Sequence, residues 1–265
     1  MRKLAFCLLA ALTASTLVAG AMPGTASAAA SRPLPKGTKA LTANPIYRAG
    51  KLPVTSCPEV GAQPTDYTNS QALLMFEKDC LDSTWKRFFG KVGFSFRAPS
   101  LELINKYEKT NACGRVDGFW GGAYCDKKQG IVVMIDGWML EYADSSFLPY
   151  VLAHEYGHHV QKRAGILTAY DAAVRKMSRK KAIEFNKRME EQADCLSGAF
   201  LKSIWASLGY PGTSALDQML TYITEDMGDP SHGGGKHRAY WVNRGYRAGA
   251  PSACNTFTAP YSIIK

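Results

Sequence analysis

With 265 residues, 46% of them hydrophobic, the chain can bury a full core as one large domain or two small ones, and its composition excludes disorder overall. The formal net charge of +10 points to anionic partners, and seven cysteines with no C-x-x-C pair argue against zinc-thiolate sites.

The first 28 residues read as a secretory signal peptide: Arg2-Lys3, an apolar run from Leu4 to about Val18, then the small-residue sequence Ala26-Ser27-Ala28. An N-terminal membrane anchor is the alternative, but the run is short for a span. Cys7 lies ahead of most of the apolar run, where a lipoprotein cysteine would follow it, and is read as a bystander. Cleavage after Ala28 removes Arg2 and Lys3 and no acid, lowering the charge from +10 to +8, and leaves six cysteines. An even count in an exported chain favours disulfides, and six cysteines allow fifteen pairings. Separation along the chain suggests Cys57–Cys80 and Cys113–Cys125, which leaves Cys195–Cys254. Residues 29–55, with Pro33, Pro35, Pro45 and Pro53, read as an extended linker or a short pro-segment, and residues 56–265 as a single domain.

Within that domain, Leu73, Leu74, Phe76, Cys80, Leu81, Trp85 and Phe88 keep helical spacing over Asp66 to Phe89, closed by Gly90. Phe94-Ser95-Phe96 alternates like a short strand. The glycines between Cys113 and Gly122 mark turns, without phosphate-loop spacing, so no nucleotide site is expected. Ile131 to Asp136 is a β-branched run of strand length, able to pair with an extended peptide if it lies beside a cleft. Ser145 or Ser146 then caps a helix from Phe147 to Val160, with Pro149 in its first turn. Tyr170 to Lys187 is helix-compatible and strongly basic; it lacks interleaved aromatics, so a solvated helix face is expected, not a nucleic-acid surface. A second long helix spans about Ile183 to Leu208, stopped by Gly209 and Pro211.

The helix from Phe147 carries His154-Glu155-Tyr156-Gly157-His158. Four residues bring His154 and His158 onto one face about a turn apart, where both imidazoles reach one metal ion, and Glu155 flanks that face without being a ligand. A catalytic zinc needs a third protein ligand and an open position. The second helix offers Glu190 for it, with Asp194 one turn on to fix the tautomer of a liganding histidine. Glu191 is the rival ligand, and an ordinary salt-bridged helix surface is the simpler alternative for all three acids. Ala193 and Gly198 would let the two helices approach closely. His159 lies about 100° round the helix from His158 and is expected to be buried or supporting, as is His237.

The strings His154-Glu155-Tyr156-Gly157-His158-His159-Val160-Gln161, Glu190-Glu191-Gln192-Ala193-Asp194-Cys195 and Ala253-Cys254-Asn255-Thr256-Phe257 resemble a bacterial family of neutral zinc metallopeptidases, over roughly Cys80 to Phe257. That family usually reads Glu-Leu-Gln-Ala-Asp-Cys; here Glu191 replaces the leucine. A wider resemblance is to the minimal gluzincin peptidases, which include the prenyl-protein endopeptidases and share H-E-x-x-H followed by Glu-x-x-x-Asp. Many of those carry a histidine and, six residues on, an arginine, a spacing matched by His232 and Arg238. The resemblance implies that His232 donates to the oxyanion and that Arg238 orders the surroundings of the ligands; the local alternative is that His232 caps a glycine turn.

The fold expected is α+β and zincin-like, with the active-site helix and the second ligand helix beside a small sheet. The function expected is a secreted endopeptidase using one Zn2+, held by His154, His158 and Glu190. Glu155 takes a proton from water as general base and passes it to the leaving amine. The alternatives are a zinc amidase acting on cell-wall peptides and a non-catalytic binding module that retains the fold. The partner expected is a peptide or protein substrate, with no nucleic acid and no stable membrane insertion. Basic charge leaves room for electrostatic association with anionic cell-surface polymers.

Overall fold

The computed structural model describes residues 31–55, 57, 66–115, 121–141, 146–210, 212–225 and 232–264; the signal sequence expected at 1–28, with Cys7, and the candidate cap Ser145 lie outside them. The stretch expected as an extended linker or short pro-segment folds into a short helix, α1 (Thr38–Thr42), and a 3-10 turn (Pro45–Arg48). Ala40, Leu41, Ile46, Tyr47 and Leu52 are buried in the main core, so this segment is not an extended linker, whereas a packed pro-segment would make the same contacts.

Helix α2 (Tyr67–Val92) begins where the Asp66 side chain accepts the amide of Asn69 and ends at Gly93, whose φ of 81° only glycine adopts freely. It runs three residues past the expected stop, because Gly90 sits within the helix. Trp85, Phe88 and Phe89 pack from its buried face into the core. Phe94 to Phe96 is not a strand; its two phenylalanine rings pack at a tilt against Phe89.

Five short strands follow among the described residues: β1 (Ser100–Ile104), β2 (Lys109–Thr110), β3 (Gly114–Arg115), β4 (Gly122–Cys125) and β5 (Gly130–Met134). The β-branched run is β5, fully buried at the centre of a three-stranded sheet, with β1 parallel on one side and β4 antiparallel on the other. Strands β2 and β3 form a separate antiparallel pair.

The rest is helical: α3 (Gly137–Glu141), α4 (Phe147–Arg163), α5 (Ile166–Val174), α6 (Arg179–Ile204), α7 (Ser214–Glu225) and α8 (Gly235–Ala248). Ser146 is the N-cap of α4, but its hydroxyl donates to Ala215 O and not to the helix. The basic segment is two elements instead of one: α5 ends at Val174 and α6 starts after Ser178, so Tyr170 and Lys187 lie on different helices. A 3-10 turn (Trp205–Leu208) and Gly209, at φ 71°, terminate α6.

Two close approaches set the helix layer. A Cβ on Gly157 of α4 would stand 2.9 Å from both Cα and O of Ala193, so these small residues let α4 and α6 touch backbone to backbone. Gly198 serves a different contact from the one expected. A Cβ there would collide with the Val242 carbonyl of α8, and one on Gly245 would collide with the Cys195 carbonyl. Three disulfides, Cys57–Cys80, Cys113–Cys125 and Cys195–Cys254, tie α2 to the N-terminal segment, brace the strands and pin the C-terminal turns to α6. Such bonds belong to an oxidising compartment, extracellular or periplasmic. No helix among the described residues is long and apolar enough to cross a membrane.

Candidate metal centre

Where α4 crosses α6, His154, His158 and Glu190 bring one potential ligand atom each to within 4.8 Å of one another. Glu190 Oε2 lies 3.1 Å from His158 Nε2 and 3.5 Å from His154 Nε2. All three side chains are buried.

The other nitrogen of each imidazole is already engaged. His154 Nδ1 is 2.7 Å from Asp194 Oδ1, and His158 Nδ1 is 2.9 Å from Gln161 Oε1; both oxygens accept, so each Nδ1 carries the proton. Each Nε2 then presents a lone pair towards a carboxylate oxygen that receives no hydrogen bond among the described residues. Three electron pairs facing one another in a buried site repel unless a cation lies among them. A donor set of two neutral imidazoles and one carboxylate suits a divalent metal of the zinc type.

The protonation tendencies carry the same message. Burial works against a charged His154, yet the Asp194 charge and hydrogen bond, with help from Glu190 and Glu155, push it up to about 10. Burial likewise opposes ionisation of Glu190 and Asp194. His158 and His154 nevertheless hold Glu190 well below the usual carboxylate range, and Arg238 with His154 holds Asp194 down to about 2. The site thus keeps its carboxylates anionic and attracts positive charge, which a metal ion supplies as well as a proton does.

Asp194 anchors the surroundings. It accepts from His154 Nδ1, from the Tyr150 hydroxyl at 2.6 Å and from Arg238 Nε at 3.2 Å, and Arg238 Nη2 donates to the Tyr150 oxygen at 2.8 Å. Gln161 holds its acceptor oxygen towards His158 by donating from its amide nitrogen to Met189 O at 2.7 Å. Gln192 ties α6 to the N- and C-terminal segments, donating to the Tyr47 hydroxyl and to Cys254 O, both at 2.8 Å.

The remaining candidates fall in distinct places. Glu155 is buried beside β4, where a Cβ on Gly122 would stand 2.8 Å from its Cγ; glycine there leaves room for the carboxylate. His232 reaches the rim of the site, its Nε2 3.7 Å from Glu190 Oε2, with 41% of its side chain exposed. Glu191 lies outside the three-residue group; its Oε1 is 3.2 Å from where a Cβ of Gly233 would stand, and burial, then the charge of Asp194, push it up to about 9. His159 faces away, donating from Nε2 to Arg97 O at 2.7 Å and contacting the Tyr124 hydroxyl at 3.2 Å, and burial lowers its pKa to about 4. His237 is half-buried on α8, outside the group.

The sequence alone assigns no role to Tyr150, Gln161 or Gln192. The first two were within reach: Tyr150 is four residues before His154 and Gln161 three after His158, both on the ligand face of α4. Nothing local marked Gln192.

Residues 62–257 match the family described as "Putative neutral zinc metallopeptidase". The chain belongs to this family. Among curated proteins it is similar to the "Uncharacterized protein YpfJ" of Escherichia coli strain K12, 29% identical over 196 residues that cover 66% of this chain and 67% of that protein. It is also similar to the "Uncharacterized protein Mb2605" of Mycobacterium bovis, 30% identical over 213 residues that cover 68% of each chain. No solved structure matches the chain. The family thus agrees with a donor set that suits zinc, and the described architecture is mostly helical α+β with a small sheet.

Proposed function

We propose that this protein is an exported, zincin-like zinc endopeptidase whose centre is held by His154, His158 and Glu190, with Glu155 as general base. The observation that carries this reading is Glu190 Oε2, a buried carboxylate oxygen without a hydrogen bond among the described residues, facing two Nε2 lone pairs. The three disulfides support export.

Bound zinc supplies Lewis acidity, polarising a scissile carbonyl and making water easier to deprotonate. The chain's own groups do the rest. Glu155 follows His154 directly on α4, and its carboxylate takes a proton from water and returns it to the leaving amine. Asp194 and Gln161 hold the two imidazoles in the tautomer that leaves Nε2 free. Arg238 neutralises Asp194 and orients Tyr150, which keeps the Asp194 oxygens in place. His232, exposed at the rim, donates in this reading to the oxygen that gains charge as the carbonyl is attacked. Burial of the ligands limits competition from bulk water.

Elemental analysis of the purified protein, followed by cleavage of a peptide library with and without chelator, tests this. Zinc near one equivalent per chain and chelator-sensitive cleavage are expected. Glu155→Gln should keep its zinc and lose roughly 10²–10⁴-fold in turnover. Wild-type turnover in that variant rules Glu155 out as the base. Glu190→Ala should lose zinc; full occupancy there shifts the ligand role to Glu191 or elsewhere.

A further inference from the structure

The ring of His158 is tied to the N-terminal segment by an unbroken line of hydrogen bonds. Its Nδ1 donates to Gln161 Oε1 at 2.9 Å, Gln161 Nε2 donates to Gln192 Oε1 at 3.3 Å, and Gln192 Nε2 donates to the Tyr47 hydroxyl at 2.8 Å. Tyr47 completes the line by donating to Leu41 O at 3.0 Å. Every residue in it is buried.

The direction of each bond follows from the backbone carbonyls at its end. Leu41 O can only accept, so the Tyr47 proton goes there and the Tyr47 oxygen is left as an acceptor. Together with Cys254 O, at 2.8 Å, it holds the NH2 group of Gln192 and leaves the Gln192 oxygen facing Gln161. That oxygen and Met189 O, at 2.7 Å, hold the NH2 group of Gln161 in turn, which leaves the Gln161 oxygen facing His158. The imidazole therefore keeps its proton on Nδ1 and its lone pair on Nε2.

Tyr47 belongs to a segment that grips both ligand helices. Asn44, fully buried, donates from Nδ2 to Ala164 O at the C-cap of α4 and to Ala40 O within the segment. Thr55 N donates to Ser203 O of α6, Leu52 N to Gly249 O after α8, and Asn255 Nδ2 returns a bond from the C-terminal turns to Thr42 O. An inhibitory pro-segment covers its centre and is then cut away. Glu190 and Gln192 leave α6 about 200° apart, so this segment meets the helix on the side away from the ligand carboxylate.

We propose that residues 31–55 are a permanent brace of the metal centre, retained in the mature protein, in which Tyr47 is a positioning residue that orients His158 through Gln192 and Gln161. The inference rests on the reading of His158 as a zinc ligand.

Zinc affinity of the exported protein, measured by competition with a chromophoric chelator, tests the line in a double-mutant cycle of Tyr47→Phe and Gln161→Ala. Gln161→Ala should weaken zinc binding about 10–100-fold, as loss of a ligand's direct partner does, and Tyr47→Phe, further out, about threefold to tenfold. In the Gln161→Ala background Tyr47→Phe should weaken it no further, because the path to His158 is already cut. A merely structural Tyr47 would lower the melting temperature and leave zinc affinity unchanged, or would add its effect to that of Gln161→Ala; either result overturns the inference. The intact mass of the exported, zinc-containing protein is a second test that needs no variant to fold. It should include residues 31–55, and a zinc-loaded form that lacks them overturns the brace. Wild-type protein that binds no zinc fails the metal reading itself and removes the role of Tyr47 with it, whereas zinc binding indifferent to Tyr47 overturns the inference alone.

Discussion

His154 donates its Nδ1 proton to Asp194 Oδ1 across 2.7 Å, and the same oxygen accepts the Tyr150 hydroxyl at 2.6 Å. One carboxylate on α6 therefore fixes both the tautomer and the ring orientation of a candidate ligand on α4. Replacing Asp194 by Asn keeps an acceptor of the same size but removes the charge that Arg238 and His154 share. Zinc affinity, measured by competition with a chromophoric chelator, should fall about 10–100-fold. Unchanged affinity would show that the Asp194 charge does not tune the site.

Gly157 and Ala193 make the helix crossing possible, since a Cβ on Gly157 would stand 2.9 Å from the Ala193 backbone. Gly157→Ala should cost about 1–3 kcal/mol in stability, because both sides of the contact are backbone and neither can move without the helix. It should also draw His154 and His158 away from Glu190, so zinc affinity falls with stability. Chemical denaturation and metal titration of the one variant check both, and a stable variant with full affinity is incompatible with the crossing described.

His232 is the most exposed member of the site, with Nε2 3.7 Å from Glu190 Oε2. A donor to the developing oxyanion can be lost without loss of the metal. His232→Ala should retain zinc and lose roughly 10–100-fold in kcat, less than a fully buried donor would cost because water can replace part of its function. Loss of zinc in this variant would make His232 a ligand, and unchanged kcat would leave it the role of capping the glycine turn.

Much of the centre was legible because its chemistry is written in helix periodicity. His154 and His158 share a face by spacing alone, and Glu190 with Asp194 repeats that spacing on a second helix. The partners of Asp194 were hidden for the opposite reason: Tyr150 looks like any aromatic on an apolar face until the α4–α6 crossing points it at a carboxylate. Helices α7 and α8 were missed as elements. The start of α8 reads as a glycine turn, and its contact with α6 depends on Gly198 meeting Val242 and Gly245 meeting Cys195, pairings no local pattern encodes. The prolines and lysines around the N-terminal segment from Ala40 to Leu52 suggest a linker, yet its few apolar side chains pack into the core. The break between α5 and α6 was hidden by a continuous basic composition, which reports solvent exposure and not backbone path.

Glu77 of α2 is fully buried, neither of its carboxylate oxygens has a hydrogen-bond partner among the described residues, and burial raises its pKa well above 4.5. The native state therefore holds this proton at pH values where the unfolded chain has released it. Below about 4.5 both states are protonated and Glu77 contributes no pH dependence. Above that value the unfolded state gains by ionising and the native state does not, so stability falls as pH rises, by at most about 1.4 kcal/mol per pH unit, until the raised native pKa is reached. Glu77→Gln removes the titration. Its melting temperature should differ little from wild type at pH 4.5 and should exceed it by a margin that widens as the pH rises, until the raised native pKa is reached. A constant margin above pH 4.5 would mean that Glu77 ionises as readily in the fold as in the unfolded chain, against the direction that its burial sets.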